Sequence, residues 1–171
     1  MKKQPKICFA CSAGGHLHEL QLATKDIDCS NSYWIMYRSP HVKKFLKEKR
    51  HHYVLNTSPT NKITWIVNAL QSLVFLLWER PDVIISTGAG VAFPTIWLGK
   101  KFFGCKVIFI ASAADVTQPA PTPYRAYPLS DLFLVQWPEM MEIFPKAKYI
   151  NSSLKFEIKA KQFYAASQRV L

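Results

Sequence analysis

The sequence predicts an α/β domain, a single Rossmann-like, doubly wound parallel sheet. Three observations carry that expectation. Short β-rich runs alternate with helical patterns from end to end, the pattern of βαβ units on a parallel sheet. Most of those runs are continuously apolar, such as Val83-Ile84-Ile85 and Val107-Ile108-Phe109-Ile110, as strands covered on both faces must be. The chain has 171 residues, 49% hydrophobic and 19% charged, enough for one buried core and too few for two.

The elements follow in order. Residues 6–11 read as the first strand, and residues 16–25 as the helix that returns from it. A second strand covers residues 33–37, a helix residues 42–49 and a third strand residues 53–56, with the adjacent His51 and His52 read as surface at its start. A long helix fills residues 62–79 before the fourth strand at residues 82–86. Another helix, residues 91–103, leads to the fifth strand at residues 106–110. Residues 111–128 contain Pro119, Pro121, Pro123 and Pro128, so they cannot be helical throughout and should form an irregular flap. A loop this long in a compact domain points to function. The sixth strand takes residues 132–136. The domain is expected over residues 1–150. From Asn151 the periodicity weakens and Lys155, Lys159, Lys161 and Arg169 recur, so residues 151–171 read as a terminal helix or tail, a candidate partner-docking segment.

Composition narrows the classes. The chain is too apolar for disorder and too interrupted for an integral membrane bundle. Its 22 Lys and Arg against 11 Asp and Glu leave a formal charge of +11, which calls for nucleic acid, a phosphorylated substrate or an anionic membrane leaflet. Nucleic acid fits poorly, because no basic and aromatic stacking pattern accompanies the charge. The basic start, Met1 to Lys6, is followed by only a short apolar stretch, so no export signal is expected. Cys8, Cys11, Cys29 and Cys105 are too sparse for a disulfide framework and suit a reducing cytoplasm. Cys8 and Cys11 form a C-x-x-C on a strand and its end, whereas a redox pair needs its first Cys at a helix N-terminus. No second Cys or His pair follows at ligand spacing, so no metal is expected, and nothing calls for a cofactor.

In such a sheet functional residues gather at the carboxyl ends of the strands. Cys11-Ser12-Ala13-Gly14-Gly15-His16 ends the first strand and opens a helix, where backbone N–H groups and the helix dipole favour an anion such as a diphosphate. Thr87-Gly88-Ala89-Gly90 repeats the arrangement after the fourth strand. Each glycine pair alone could equally be a tight turn. Neither fits G-x-G-x-x-G or Walker A, and no acidic residue follows the second strand at the ribose position. A dinucleotide is therefore disfavoured. Ser12, Gly14, Gly15, His16, Thr87, Gly88, Ala89 and Gly90 are the candidate anion-binding residues. His16 is either a general base or anion contact, or a polar residue that only caps its helix. His18 and Glu19 read as surface.

The helix over residues 62–79 is mostly apolar, with Thr64, Asn68, Gln71 and Ser72 near one face. Its uninterrupted apolar stretch, residues 73–78, is far below the roughly twenty residues a bilayer span needs. A core position accounts for about half of its apolar side chains. The surplus, with Trp65, Ile66, Leu70, Leu73, Leu77 and Trp78 as candidates, suggests a helix that also touches a membrane interface. Lys43, Lys44, Lys47, Lys49 and Arg50 either add adhesion to anionic lipid or form a solvated basic face.

Three segments resemble motifs of one family. They are Cys11-Ser12-Ala13-Gly14-Gly15-His16-Leu17-His18-Glu19-Leu20, Arg80-Pro81-Asp82-Val83-Ile84-Ile85-Ser86-Thr87-Gly88-Ala89-Gly90, and the run from Tyr127-Pro128-Leu129-Ser130-Asp131 to Val135-Gln136-Trp137-Pro138-Glu139. The family is that of oligosaccharide biosynthesis which includes the membrane-anchoring subunit of the eukaryotic dolichol-linked UDP-N-acetylglucosamine transferase and bacterial capsule and exopolysaccharide glycosyltransferase subunits. The similarity covers about residues 6–150. It implies the N-terminal, acceptor-side half of a GT-B glycosyltransferase, in which two Rossmann-like domains are separate polypeptides. It implies a donor-binding catalytic partner, a polyprenyl-diphosphate-linked sugar as acceptor at the two glycine loops, and inverting transfer from a UDP-sugar without a metal. Eukaryotic relatives have a separate N-terminal transmembrane segment. Here the helix over residues 62–79 would have to anchor the chain, as a peripheral protein on the cytoplasmic face.

Two departures bear on activity. After the fifth strand the family usually shows an acidic residue, then Ser, then an Arg a few positions later, whereas this chain has Ala111-Ser112-Ala113-Ala114-Asp115. With Ala111 the carboxylate is gone, and Asp115 reverses the local charge, so reduced or absent activity is expected. The second departure is the end, residues 151–171. The favoured expectation is a subunit inactive without its partner. The alternatives are a scaffold whose loops bind nothing, and a stand-alone nucleotide-binding Rossmann protein.

Overall fold

Apolar runs with covered faces become the strands, and the crossovers between them become the helices. The computed structural model describes residues 4–150 except residue 117. In order the elements are β1 (Ile7–Cys11), α1 (Gly15–Thr24), β2 (Ser32–Tyr37), α2 (Pro40–Leu46), β3 (His51–Val54), α3 (Lys62–Glu79), β4 (Val83–Gly88), α4 (Phe93–Phe102), β5 (Lys106–Ile110), α5 (Pro121–Ala126), β6 (Leu132–Val135), α6 (Met140–Ile143) and β7 (Lys148–Tyr149). Every strand pair is parallel, and the sheet order is β3-β2-β1-β4-β5-β6-β7. The chain thus starts in the middle, winds outward to β3, and crosses back through α3 to lay β4 on the other side of β1.

That reversal assigns the helices to faces. Leu17 and Leu20 of α1 and Val42 and Leu46 of α2 pack with Ile7, Phe9, Trp34 and Met36 on one face. Leu76 of α3, Ile96 and Leu98 of α4 and Ala126 of α5 pack with Cys8, Ala10, Tyr33 and Ile35 on the other. On this second face Gly99 of α4 sits against Ile84, so close that a Cβ there would force the Ile84 side chain to shift.

Several expectations shift. β3 begins at His51 rather than at residue 53, and His52 is a half-buried strand residue whose Nε2 lies 2.7 Å from Glu79 Oε1. The carboxylate makes it part of the interior rather than surface. The proline-rich segment is only partly irregular. Pro121 and Pro123 fall in the first turn of α5, where a missing N–H leaves no bond unmade. α6 and the two-residue β7 were not anticipated from sequence. Cys8 and Cys11 are free and buried in β1, and burial pushes both thiols well above their ordinary pKa. Residues 151–171, expected as a tail or terminal helix, lie outside the described residues.

The long helix departs most from expectation. Its buried residues are Asn68, Ser72, Leu76 and Glu79, so the polar side faces the sheet. Asn68 Nδ2 donates to the carbonyls of Leu55 and Val91, at 2.7 and 3.2 Å. Ser72 bonds Asn68 Oδ1 and the Thr95 hydroxyl. Glu79 is held by Lys6 at 2.7 Å, Arg50 at 2.8 Å and His52. With these partners Asn68 and Ser72 are hydrogen-bonded and the Glu79 carboxylate is charge-paired. Arg80, at φ 45, stops the helix in the left-handed conformation and donates its N–H to Leu76, and Pro81 bars any continuation. No described helix is long and apolar enough to cross a membrane.

Candidate functional site

In a doubly wound sheet the crevice opens at the carboxyl ends of the two strands where the winding reverses, here β1 and β4. Both glycine loops leave from those ends. Cys11 pairs with Gly88 across an irregularity in the register, which brings the loops side by side. Gly14, at φ 75 and ψ −135, takes a backbone conformation open to glycine, and no side chain caps α1. The first-turn N–H groups of α1 therefore face the crevice without a side-chain acceptor. Gly14 and Gly15 are exposed, and Ser12 is half-buried with its hydroxyl on the Ala13 carbonyl.

The second loop is tighter. Gly88 has φ 99, and a Cβ there would lie 3.1 Å from Phe109 Cζ and 3.9 Å from His16 Cε1. Ala89, at φ 69 and ψ 152, sits in a region that is essentially glycine territory, at a cost of about 1–3 kcal/mol. A Cβ at Gly90 would lie 2.9 Å from Thr57 Oγ1 and 3.2 Å from the Trp65 ring. The buried Thr87 hydroxyl donates to the His16 carbonyl at 2.7 Å. Thr87 and His16 thus fasten one loop to the other. His16 Nδ1 is buried beside this loop and has no hydrogen-bond partner among the described residues.

Ala111 and Asp115, the positions expected to depart from the family, lie on the third loop at this edge. Ala111 is buried, its carbonyl accepting from Gln136 Nε2 at 3.0 Å. Asp115 is buried too, and its Oδ1 accepts from the Ala120 N–H. Glu19, expected at the surface, corrects that expectation. Its Oε1 accepts from Ser112 Oγ at 3.1 Å and the Ala113 N–H at 2.8 Å, tying α1 to this loop. Glu19 lies one helical turn after His16, and that spacing is a signal the sequence did contain.

The expected membrane-facing residues separate into two groups. Ile66, Leu70, Leu77 and Trp78 are exposed, together with Ile63 and Val74, from 54% at Leu77 to 78% at Trp78. Leu73 is instead packed against the core. Trp65 also turns inward, donating from Nε1 to the Ser58 carbonyl at 2.8 Å, because its ring fills the gap beside Gly90. Lys43, Lys44, Lys47 and Lys49 are exposed on and after α2, on the opposite sheet face, so they cannot share a flat surface with α3. Lys62 and Arg80 stand at the two ends of the apolar helix instead, both exposed. No metal-binding group of His, Cys, Asp and Glu occurs among the described residues.

The sheet order and the paired glycine loops define the class: a Rossmann-like domain of the kind found in GT-B glycosyltransferases and nucleotide-sugar epimerases. MurG of Acinetobacter baumannii superposes with a TM-score of 0.68 at 13% identity, over 85% of this chain and 45% of that one. The UDP-N-acetylglucosamine 2-epimerase of Rickettsia bellii gives 0.69 at 7% identity, over 92% and 47%. The chain belongs to the oligosaccharide biosynthesis protein Alg14-like family, whose sequence model matches residues 23–153. The UDP-N-acetylglucosamine transferase subunit alg14 of Schizosaccharomyces pombe is 33% identical over 120 residues, 66% of this chain and 57% of that protein. The human subunit of the same name is 25% identical over 144 residues, 79% of this chain and 62% of that protein. The chain therefore spans somewhat more than half the length of these two relatives.

Proposed function

We propose that the chain is the acceptor-side subunit of a two-component glycosyltransferase in polysaccharide or lipid-linked oligosaccharide synthesis. A catalytic partner binds the UDP-sugar, and this chain holds a polyprenyl-diphosphate-linked saccharide. The observation that carries the reading is His16, bridging the glycine loops with its Nδ1 unpartnered. The N–H groups at the start of α1 neutralise an acceptor anion. The acceptor hydroxyl oxygen bonds to the anomeric carbon as the nucleoside diphosphate leaves, and the hydroxyl proton passes to a base, for which His16 is the candidate. As the family resemblance implies, the transfer inverts the anomeric centre and uses no metal.

The chain rests on the cytoplasmic face of a membrane through α3. Its outward side is apolar, and the one carboxylate on α3 and α4, Glu79, points inward at 3% side-chain exposure. An exposed apolar strip with Lys62 and Arg80 at its ends matches an interfacial helix on anionic lipid.

The test combines the purified chain, its co-purifying partner, a polyprenyl-diphosphate-linked sugar and labelled UDP-N-acetylglucosamine. Product is expected only with both proteins, and turnover by the chain alone overturns the reading. Ala111 and the engaged Asp115 carboxylate favour a second reading, a scaffold that only holds the partner at the membrane. Replacing Gly14, Gly15 and His16 separates the two, since a scaffold would still support transfer.

A further inference from the structure

The apolar face of α3 and the glycine loops meet at one place, and a cation stands there that the anion site described above does not use. Trp65 is the junction. Its ring lies against Gly90, while the residues beyond it on α3, Ile66 and Leu70, face outward. Arg125 of α5 packs over this ring, with Cζ 5.8 Å from its centroid, and over the Phe93 ring at 6.0 Å. Arg125 is exposed, and no carboxylate pairs with it among the described residues.

A guanidinium within cation–π range of two aromatic rings, and paired with no carboxylate, keeps an edge of N–H groups to offer a ligand. That edge suits phosphate oxygens, which it can bind in pairs. The placement also fits one particular anion. A free anion needs no apolar approach, and a hydrocarbon chain needs no cation. A diphosphate joined to a polyprenyl chain needs both, in the order in which α3, Trp65 and Gly90 present them.

We propose that Arg125 is a second anion-binding residue of the crevice, receiving the diphosphate of a polyprenyl-linked substrate where the apolar face of α3 ends at the Gly88–Gly90 loop. The assignment rests on the acceptor reading given above and adds a residue and a direction of entry to it. The lipid tail lies along α3, the diphosphate passes between Arg125 and the glycine loops, and the sugar projects into the crevice.

Flotation of the full chain with three kinds of vesicle tests this: phosphatidylcholine alone, phosphatidylcholine with phosphatidylglycerol, and phosphatidylcholine with a polyprenyl diphosphate at matched surface charge. The wild-type chain should bind the diphosphate vesicles about tenfold more tightly than either other kind, as one charge-assisted contact supplies. Arg125→Ala should lose that excess and keep its binding to phosphatidylcholine, and Arg125→Lys should recover part of it. Inorganic diphosphate should abolish the excess, whereas inorganic phosphate at the same concentration should not. If Arg125→Ala keeps the excess, the assignment to Arg125 fails and the acceptor reading stands. A wild-type chain with no excess sinks both. An equal gain from phosphatidylglycerol, or an excess that inorganic diphosphate leaves intact, overturns the proposal in favour of general attraction to anionic lipid. Arg125 is exposed, so an unchanged thermal midpoint in each variant keeps the comparison valid.

Discussion

α1 and α3 pack on opposite faces of the same sheet and bury opposite kinds of side chain. α1 turns Leu17, Leu20 and Ala23 inward, as a helix between a sheet and water does. α3 turns Asn68, Ser72 and Glu79 inward and leaves Ile63, Ile66, Leu70, Val74, Leu77 and Trp78 outside. The inversion does not come from a shortage of core, because Leu76 still reaches it fully buried. On the membrane reading proposed above, the medium outside α3 differs from the medium outside α1. An apolar strip of this length is costly against water and costs nothing against hydrocarbon.

Substitution can break the comparison most sharply at paired leucines. Leu20→Ala in α1 should cost about 2–5 kcal/mol, the usual penalty for a fully buried leucine, whereas Leu70→Ala in α3 should stay within about 0.5 kcal/mol in aqueous buffer. Urea unfolding measures both, and equal losses would mean that α3 buries Leu70 after all. A smaller effect belongs to the inward polar stripe. Asn68→Ala leaves the Leu55 and Val91 carbonyls without their side-chain donor and should cost about 1–3 kcal/mol. The same measurement checks it, and a gain in stability would show the stripe to be an incidental feature.

The gentlest probe is pH. Burial alone would raise the Glu79 carboxyl, but the hydrogen bonds and charges of Lys6, His52 and Arg50 outweigh it and hold the group below the usual carboxylate range. A depressed native value means that Glu79 contributes fully above the unfolded value of about 4.3 and loses that contribution as pH falls below it. The urea midpoint of the wild-type chain should therefore fall more steeply on acidification than that of Glu79→Gln. Parallel curves would remove Glu79 from the stabilising interactions.

The legible parts of the sequence were those decided by short-range chemistry. Val83-Ile84-Ile85 and Val107-Ile108-Phe109-Ile110 could only be covered strands, and their alternation with helices carried the winding. The two glycine loops stood out for the same local reason. Periodicity showed that α3 has two faces, but not which one meets the sheet. That choice depended on the Leu55 and Val91 carbonyls, which come from distant parts of the chain. Prolines argued against a helix over residues 121–126 because their tolerance in a first turn is visible only once the turn is located. Glu19 looked solvated until the loop at Ser112 and Ala113 came to it. Arg125 carried no motif at all, since its platform is assembled from α3 and α4.

α3 also sets a direction. Its first turns touch the loop at Gly90, beside the carboxyl ends of the strands, while Glu79 at its other end meets Lys6, just ahead of β1. Over 18 residues the helix runs about 27 Å along the strands. Laid flat on a bilayer, it keeps the sheet's strands level with the lipid plane and opens the crevice sideways. On the reading proposed above, a lipid-linked substrate would then reach it by lateral diffusion, so that encounter becomes a search in two dimensions at the height of the head groups.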